Sequence, residues 1–310
     1  MFMIASDGAT NRGSLPPRRL NMHRFKNILC VVNPDEKASA VVKRARELAI
    51  LQGTSLTLVH VARDANQVQV ESAGERPIED NELIGELESR PLYGNPSEEI
   101  VKQVLRGKHD LLIKPVAGPE NQPTTLDATD KFLLRQCPCP VWLFKPVKRA
   151  SQERILVALD SDMDGVNEKL NELVLDFSTS LGAEDETELH VVSSWGVSGE
   201  EAMRSRVGTL AIRRLVAGMR RANMKWLRSL TEPYTHRGAK LRVHLEKGKH
   251  NDAILAEAKK RRPDLIVMGD TGPVGIAGLL FGTAAERIFS RVNCSVLAVK
   301  PKGFVSTVDA

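Results

Sequence analysis

The sequence predicts an α/β fold made of two tandem doubly wound, Rossmann-like domains, each with a five-stranded parallel sheet. Three observations lead there. Short apolar runs alternate with helical patterns, the same order of elements recurs in the second half, and a glycine-rich stretch follows an apolar run near the end. Alternation of strand and helix calls for parallel strands joined by right-handed crossovers, with helices on both sheet faces. The 310 residues suffice for two domains that each bury a core.

Residues 1–23 are polar, rich in Gly, Pro and basic side chains and without periodicity, and read as a disordered tail. Met22 is an alternative start to Met1. The first domain is assigned to 24–147. Ile28 to Val32 is a continuous apolar run, as in a strand covered on both faces. Asn33-Pro34-Asp35 turns the chain, and Ala38 to Gln52 repeats apolar residues on one helical face until Gly53 ends it. Leu56 to Val61 forms the next strand, and a short helix is expected near Asn81 to Leu87. Gly94 to Ser97 leads into a helix over Glu98 to Leu105, followed by a strand at Asp110 to Ile113. A polar loop from Lys114 to Thr125, a helix over Leu126 to Gln136 and a strand at Val141 to Phe144 complete the unit. The charged segment from Pro146 to Glu153 reads as a linker.

The second domain, 153–310, repeats this order. Ile155 to Asp160 matches Ile28 to Asn33, Leu189-His190-Val191 matches Val59-His60-Val61, and Cys294 to Pro301 matches Cys139 to Pro146. His60 and His190 therefore share a strand position, which favours packing over chemistry. The second half also carries a long helical stretch, roughly Gly199 to Leu230, with an expected apolar seam of Ile212, Leu215, Met219, Ala222, Trp226 and Leu230. From Met203 to Leu230 it holds eight basic residues and no acid. Such a helix can lie on an anionic membrane surface or grip phosphates, though a solvated outer face on a packed helix is the commoner outcome.

After Leu265 to Met268 comes Gly269-Asp270-Thr271-Gly272-Pro273, and after nine intervening residues beyond Gly272 stand Gly282-Thr283, at the head of a helical segment. Strand, glycine-rich loop and helix start bring bare amide N–H groups to one place, which suits an anion. Thr283 could cap the helix or donate to a phosphate oxygen. Glycines here could equally serve turn geometry alone. Asp160, at the carboxyl end of its strand, stands where open α/β sheets bind ligands, though it could also close a turn with Ser161 and Asp162. Counted back from Cys139 as from Cys294, Gly282 falls on Asp127 and Thr283 on Ala128, and Asn33 replaces Asp160. A carboxylate repels a phosphate, so the first domain is expected to bind no nucleotide by this route.

The spacing Gly-x2-Gly-x9-Gly-Thr, on Gly269, Gly272, Gly282 and Thr283, resembles the nucleotide-binding signature of the universal stress protein family. Asn293 to Pro301 looks like that family's last strand, and Lys300 to Ser306 is similar to the ending of its tandem, E-type members. The resemblance implies an adenine nucleotide site formed by Ala158, Leu159, Asp160, Val191, Met268, Gly269, Gly272, Gly282, Thr283 and Ala284. ATP, with or without Mg2+, is the implied cofactor of this stress-response function, with little or no catalysis. Many nucleotide-binding members have a His before the second glycine and a basic residue after it; here Thr271 and Pro273 stand there.

Composition narrows the rest. Hydrophobic residues make up 42 %, a globular composition, and no apolar run approaches the roughly 18 residues of a membrane span. Four cysteines (Cys30, Cys137, Cys139, Cys294) read as buried reduced thiols of a cytoplasmic protein. The net charge of +5 is compatible with nucleotide or anionic lipid. Sparse Trp and Tyr leave nucleic acid unexpected. No nucleophile, base and acid arrangement or metal motif is found, so no catalytic or metal-binding residue is assigned. The expected organisation is an intramolecular pseudo-dimer, compatible with a further homodimer and with peripheral contact to anionic lipid. The competing reading is a binding or scaffold protein holding an apolar, lipid-like ligand, motivated by Ile276, Leu279, Leu280 and Phe281 in a charge-poor loop.

Overall fold

Runs of apolar residues with no polar alternation need cover on both faces, and the strands of this chain receive it. The computed structural model describes residues 25–32, 40–62, 89–118, 123–146, 153–161, 167–182, 187–235, 239–270 and 283–309, without the side chains of 204–207. In chain order the elements are β1 (Asn27–Val31), α1 (Ala40–Gln52), β2 (Ser55–Val61), β3 (Arg90–Leu92), α2 (Pro96–Arg106), β4 (Leu111–Pro115), α3 (Ala128–Gln136) and β5 (Val141–Phe144). The second half follows with β6 (Arg154–Leu159), α4 (Glu168–Leu181), β7 (Glu188–Trp195), α5 (Glu200–Val207), α6 (Thr209–Thr231), β8 (Lys240–Lys247), α7 (His250–Arg261), β9 (Leu265–Gly269), α8 (Ala284–Phe289) and β10 (Ser295–Val299). The turn expected at 33–35, the helix expected near 81–87 and most of the 146–153 linker lie outside the described residues.

Each half contributes five strands that pair in parallel, in the order β3-β2-β1-β4-β5 and β10-β9-β6-β7-β8. The two sets are not separate sheets. β5 and β10 pair antiparallel, Leu143 opposite Val296 and Val141 opposite Ala298, and the result is one ten-stranded sheet. Two cores lie on its two faces. One is built on Ile28, Trp142, Val157, Phe177 and Leu227, the other on Leu29, Leu134, Ile254, Phe289 and Val296.

Contacts around the join reinforce it. Phe25, just ahead of β1, stacks on Phe177 of α4 at 5.1 Å between ring centroids. Arg135 of α3 donates twice to the Glu286 carboxylate of α8, at 2.7 and 3.0 Å. Lys145, buried after β5, donates to the Val292 carbonyl at 3.0 Å and lies 4.0 Å from the Phe289 ring centroid. Burial lowers its pKa to about 8.

The long helical stretch expected over 199–230 is two helices. Gly208 breaks it with φ +86, a backbone angle open to glycine and strained for other residues. The seam of α6 is also rotated from the expected one. Ile212, Asn223, Leu227 and Thr231 are buried, Trp226 and Leu230 pack partly against the core, and Leu215 and Ala222 face solvent. The periodicity was ambiguous because apolar residues occur on two sides of this helix. Asn223 can turn inward because its amide donates to the Met219 carbonyl at 3.0 Å.

Candidate functional site

At the carboxyl edge of β6, Asp160 leaves the sheet with an exposed side chain and a fixed backbone. Asn171, buried in α4, accepts from the Asp160 N–H at 3.1 Å and donates to its carbonyl at 2.9 Å. Asn167 Nδ2 reaches the carboxylate at 3.4 Å. A buried side-chain amide thus replaces the strand partner that the last residue of a strand lacks. The carboxylate keeps lone pairs for a hydroxyl or amino donor.

His250 opens α7 near this carboxylate. Burial lowers its pKa and the charge of Asp160 pushes the other way. Its Nδ1 is buried and finds no partner among the described residues. On β7, Ser193 stands opposite Leu159 in register; its hydroxyl is buried and likewise unpartnered among the described residues. Exposed carboxylate, half-buried imidazole and buried hydroxyl all lie toward one sheet edge, with α7 lacking a side-chain N-cap beside them. Unpaired donors and acceptors grouped in this way suit a polyhydroxylated or phosphorylated ligand.

The glycine loop leaves the sheet next door. β9 pairs with β6, placing Met268 opposite Ala158, so Gly269 follows at the level of Leu159. Gly269 has a structural role of its own: a Cβ there would come within 2.7 Å of Leu170 Cδ2 and 2.9 Å of its Cγ on α4. Asp270 is buried and meets Lys300 Nζ at 3.1 Å, with Lys300 itself 5.0 Å from the Phe304 ring. Its N–H donates to the Val299 carbonyl. The loop returns at Thr283, whose hydroxyl accepts from the Glu286 N–H at 3.1 Å and caps α8, leaving its own proton to donate. Ala284 starts that helix, partly buried against the lower core. Gly272, Gly282 and the apolar residues Ile276, Leu279, Leu280 and Phe281 lie outside the described residues.

Four of the expected contacts, Ala158, Leu159, Val191 and Met268, are core residues. Leu159 and Val191 are wholly buried on the face under α4 and α6, and Ala158 is buried on the face under α7. Val191 pairs with Val157 in mid-sheet, whereas β7 runs on to Trp195. The β7 residues nearest the level of Asp160 are Ser193 and Ser194, which pattern reading passed over. A serine pair closing an apolar strand was the available signal. His190, expected to be a packed and satisfied histidine, meets His244 at 3.0 Å, and His244 lies 3.8 Å from Glu257 of α7. Burial holds the His244 pKa down to about 4, so this cluster is neutral imidazole at ordinary pH.

The first domain fills the equivalent ground with its own charges. Lys114, next to last in β4, stands where Met268 does in β9 and donates to the Asp130 carboxylate at 2.6 Å. Asp127 caps α3 by accepting from the Asp130 N–H, and Asp130 accepts in turn from the Asp127 N–H. The first-domain cap is thus Asp127, one residue before the Ala128 that counting pairs with Thr283. Pro115 stands in place of Gly269 and offers no N–H.

Comparison with known proteins fits both halves. The universal stress protein family matches twice, at residues 24–145 and 152–300. Universal stress protein E of Photorhabdus laumondii is 27 % identical over 231 residues, covering 70 % of each chain. Its homolog from Haemophilus influenzae is 24 % identical over 315 residues, covering 90 % of this chain and 98 % of that one. Among solved structures, the functionally unknown protein PA1789 of Pseudomonas aeruginosa PAO1 superposes with a TM-score of 0.68 at 22 % identity, covering 89 % of this chain and 93 % of the other. A universal stress protein from Archaeoglobus fulgidus gives 0.56 at 17 % identity, covering 88 % and 98 %. With two matched modules, five parallel strands in each and relatives of the same two-module length, this chain belongs to the universal stress protein family as a tandem member similar to the E-type proteins.

Proposed function

We propose that the second domain, 153–310, binds an adenine nucleotide, ATP foremost, and that the first domain, 24–147, does not. The protein acts as a binder whose ligand state alters its contacts, rather than as a catalyst. The observation that carries this reading is the exposed Asp160 carboxylate, fixed by Asn171, beside the strand end from which the Gly269 loop departs. Asp160 accepts from the ribose hydroxyls, and the Thr283 hydroxyl and the loop amides meet the phosphates. His250 and Ser193 supply the further donors that this edge holds unpaired. In the first domain the Lys114–Asp130 pair and the Asp127 cap take the ground that a phosphate would need.

Titration calorimetry with ATP and Mg2+ on the full chain tests it. One site per chain is expected, and Asp160→Asn weakens it by roughly tenfold, the loss of a charge-assisted hydrogen bond. Asp127→Asn changes affinity little. Absence of heat, or equal loss from both variants, overturns the reading.

A further inference from the structure

The outer face of α6 is a row of cations. Arg213, Arg214, Arg220, Arg221, Lys225 and Arg228 are all exposed, and none forms an ion pair among the described residues. The helix has no acidic residue of its own. At 100° per residue, Leu210, Arg214, Ala217, Arg221, Met224 and Arg228 form one stripe about 80° wide, set roughly 115° around the helix from the mean direction of the buried Ile212, Asn223, Leu227 and Thr231. Arginine and apolar side chains alternate along it. From Arg214 to Arg228 it runs about 21 Å at 1.5 Å per residue. Arg221 and Lys225 stand four apart and Lys225 and Arg228 three apart, spacings at which like charges repel within a helix. Among the described residues no acid offsets that repulsion, so an anionic partner would relieve it.

The apolar members decide which anion. Leu210, at the head of this stripe, is 63 % exposed, while Leu215 points about 140° away from it. A polymer of phosphates gains nothing from exposed leucines, and the one aromatic of this helix, Trp226, packs against the core rather than outward for stacking. An anionic lipid surface uses both features. Headgroup phosphates and carboxylates take the guanidinium groups, and Leu210 enters the acyl boundary. Among the described residues no helix is long and apolar enough to cross a membrane, so the contact is peripheral. We infer that α6 docks the protein, independently of any nucleotide, on anionic lipid bilayers.

Co-sedimentation of the full chain with phosphatidylserine-containing vesicles, beside pure phosphatidylcholine vesicles, tests this. Binding to the anionic vesicles alone is expected, with release at about 0.5 M salt, where screening shortens to a few ångströms. Arg214→Glu, Arg221→Glu and Arg228→Glu together should lower partitioning at least tenfold and Leu210→Ser several-fold, whereas Leu215→Ser, off the stripe, should change it little. Should the charge reversal impair folding by circular dichroism, the three corresponding Gln changes serve instead. Binding that ignores lipid charge, or survives these changes, overturns the inference. So does failure to bind, or a duplex DNA that binds α6 more tightly than the vesicles do.

Discussion

Asp160 and Gly269 show how differently two neighbouring residues of one sheet edge are constrained. The Asp160 side chain is exposed and its backbone is satisfied by Asn171, so its carboxylate, touched only by a 3.4 Å contact from Asn167 among the described residues, carries little of the fold. Gly269 is the reverse. Its φ is ordinary, and what demands glycine is the approach of Leu170. Gly269→Ala is therefore expected to destabilise the protein by about 1–3 kcal/mol through overpacking. Chemical denaturation measures it. A neutral result would mean that α4 shifts away at little cost, and would return this glycine to the ligand alone. Thr283 lies between the two cases, because its hydroxyl already caps α8 and has one proton left to offer.

At the scale of the element, α3 and α8 are counterparts that have diverged in charge. α8 begins with a neutral threonine cap, and its first-turn Glu286 is neutralised by Arg135. α3 begins with Asp127 and Asp130, neutralised by Lys114. Burial raises the Asp130 pKa against the pull of Lys114. Lys114→Met should then cost about 3–5 kcal/mol near neutral pH, because an uncompensated carboxylate is left in the interior. The sign with pH follows from that raised pKa. A carboxyl that titrates higher folded than unfolded binds more protons in the folded state, so its penalty grows as pH rises and fades as pH falls through the folded value. Denaturation of the variant at acid and at mildly alkaline pH checks this, and a penalty independent of pH would contradict it.

For the whole molecule, the β5–β10 pairing makes the two halves one hydrogen-bonded sheet, sealed by Phe25 on Phe177, Lys145 on Val292 and the Arg135–Glu286 pair. Because this seam is buried and apolar at its centre, both halves are expected to unfold in a single calorimetric transition. Arg135→Ala should lower stability by only about 1 kcal/mol, as that pair is partly solvated. Two resolved transitions in the unmodified chain would show that the seam does not couple the modules.

Much of this was legible along the chain. Continuous apolar runs named the covered strands, the repeat gave two modules, and the glycine spacing with Asp160 marked one edge of the second. The charge at the head of the matching helix in the first module could likewise be read from Asp127, which caps α3. These are local signals: burial on both faces, helix caps and charge are written within a few residues. The pairing of β5 with β10 was not, because it joins strands some 150 residues apart through backbone groups that every sequence shares. Nor was the meeting of Lys300 with Asp270, which register alone brings about, or the level that puts Ser193 rather than Val191 near Asp160. The face that α6 turns inward stayed ambiguous for the same reason. A helix with apolar residues on two sides is oriented by the sheet beneath it, and in this chain that choice left a stripe of arginines facing out.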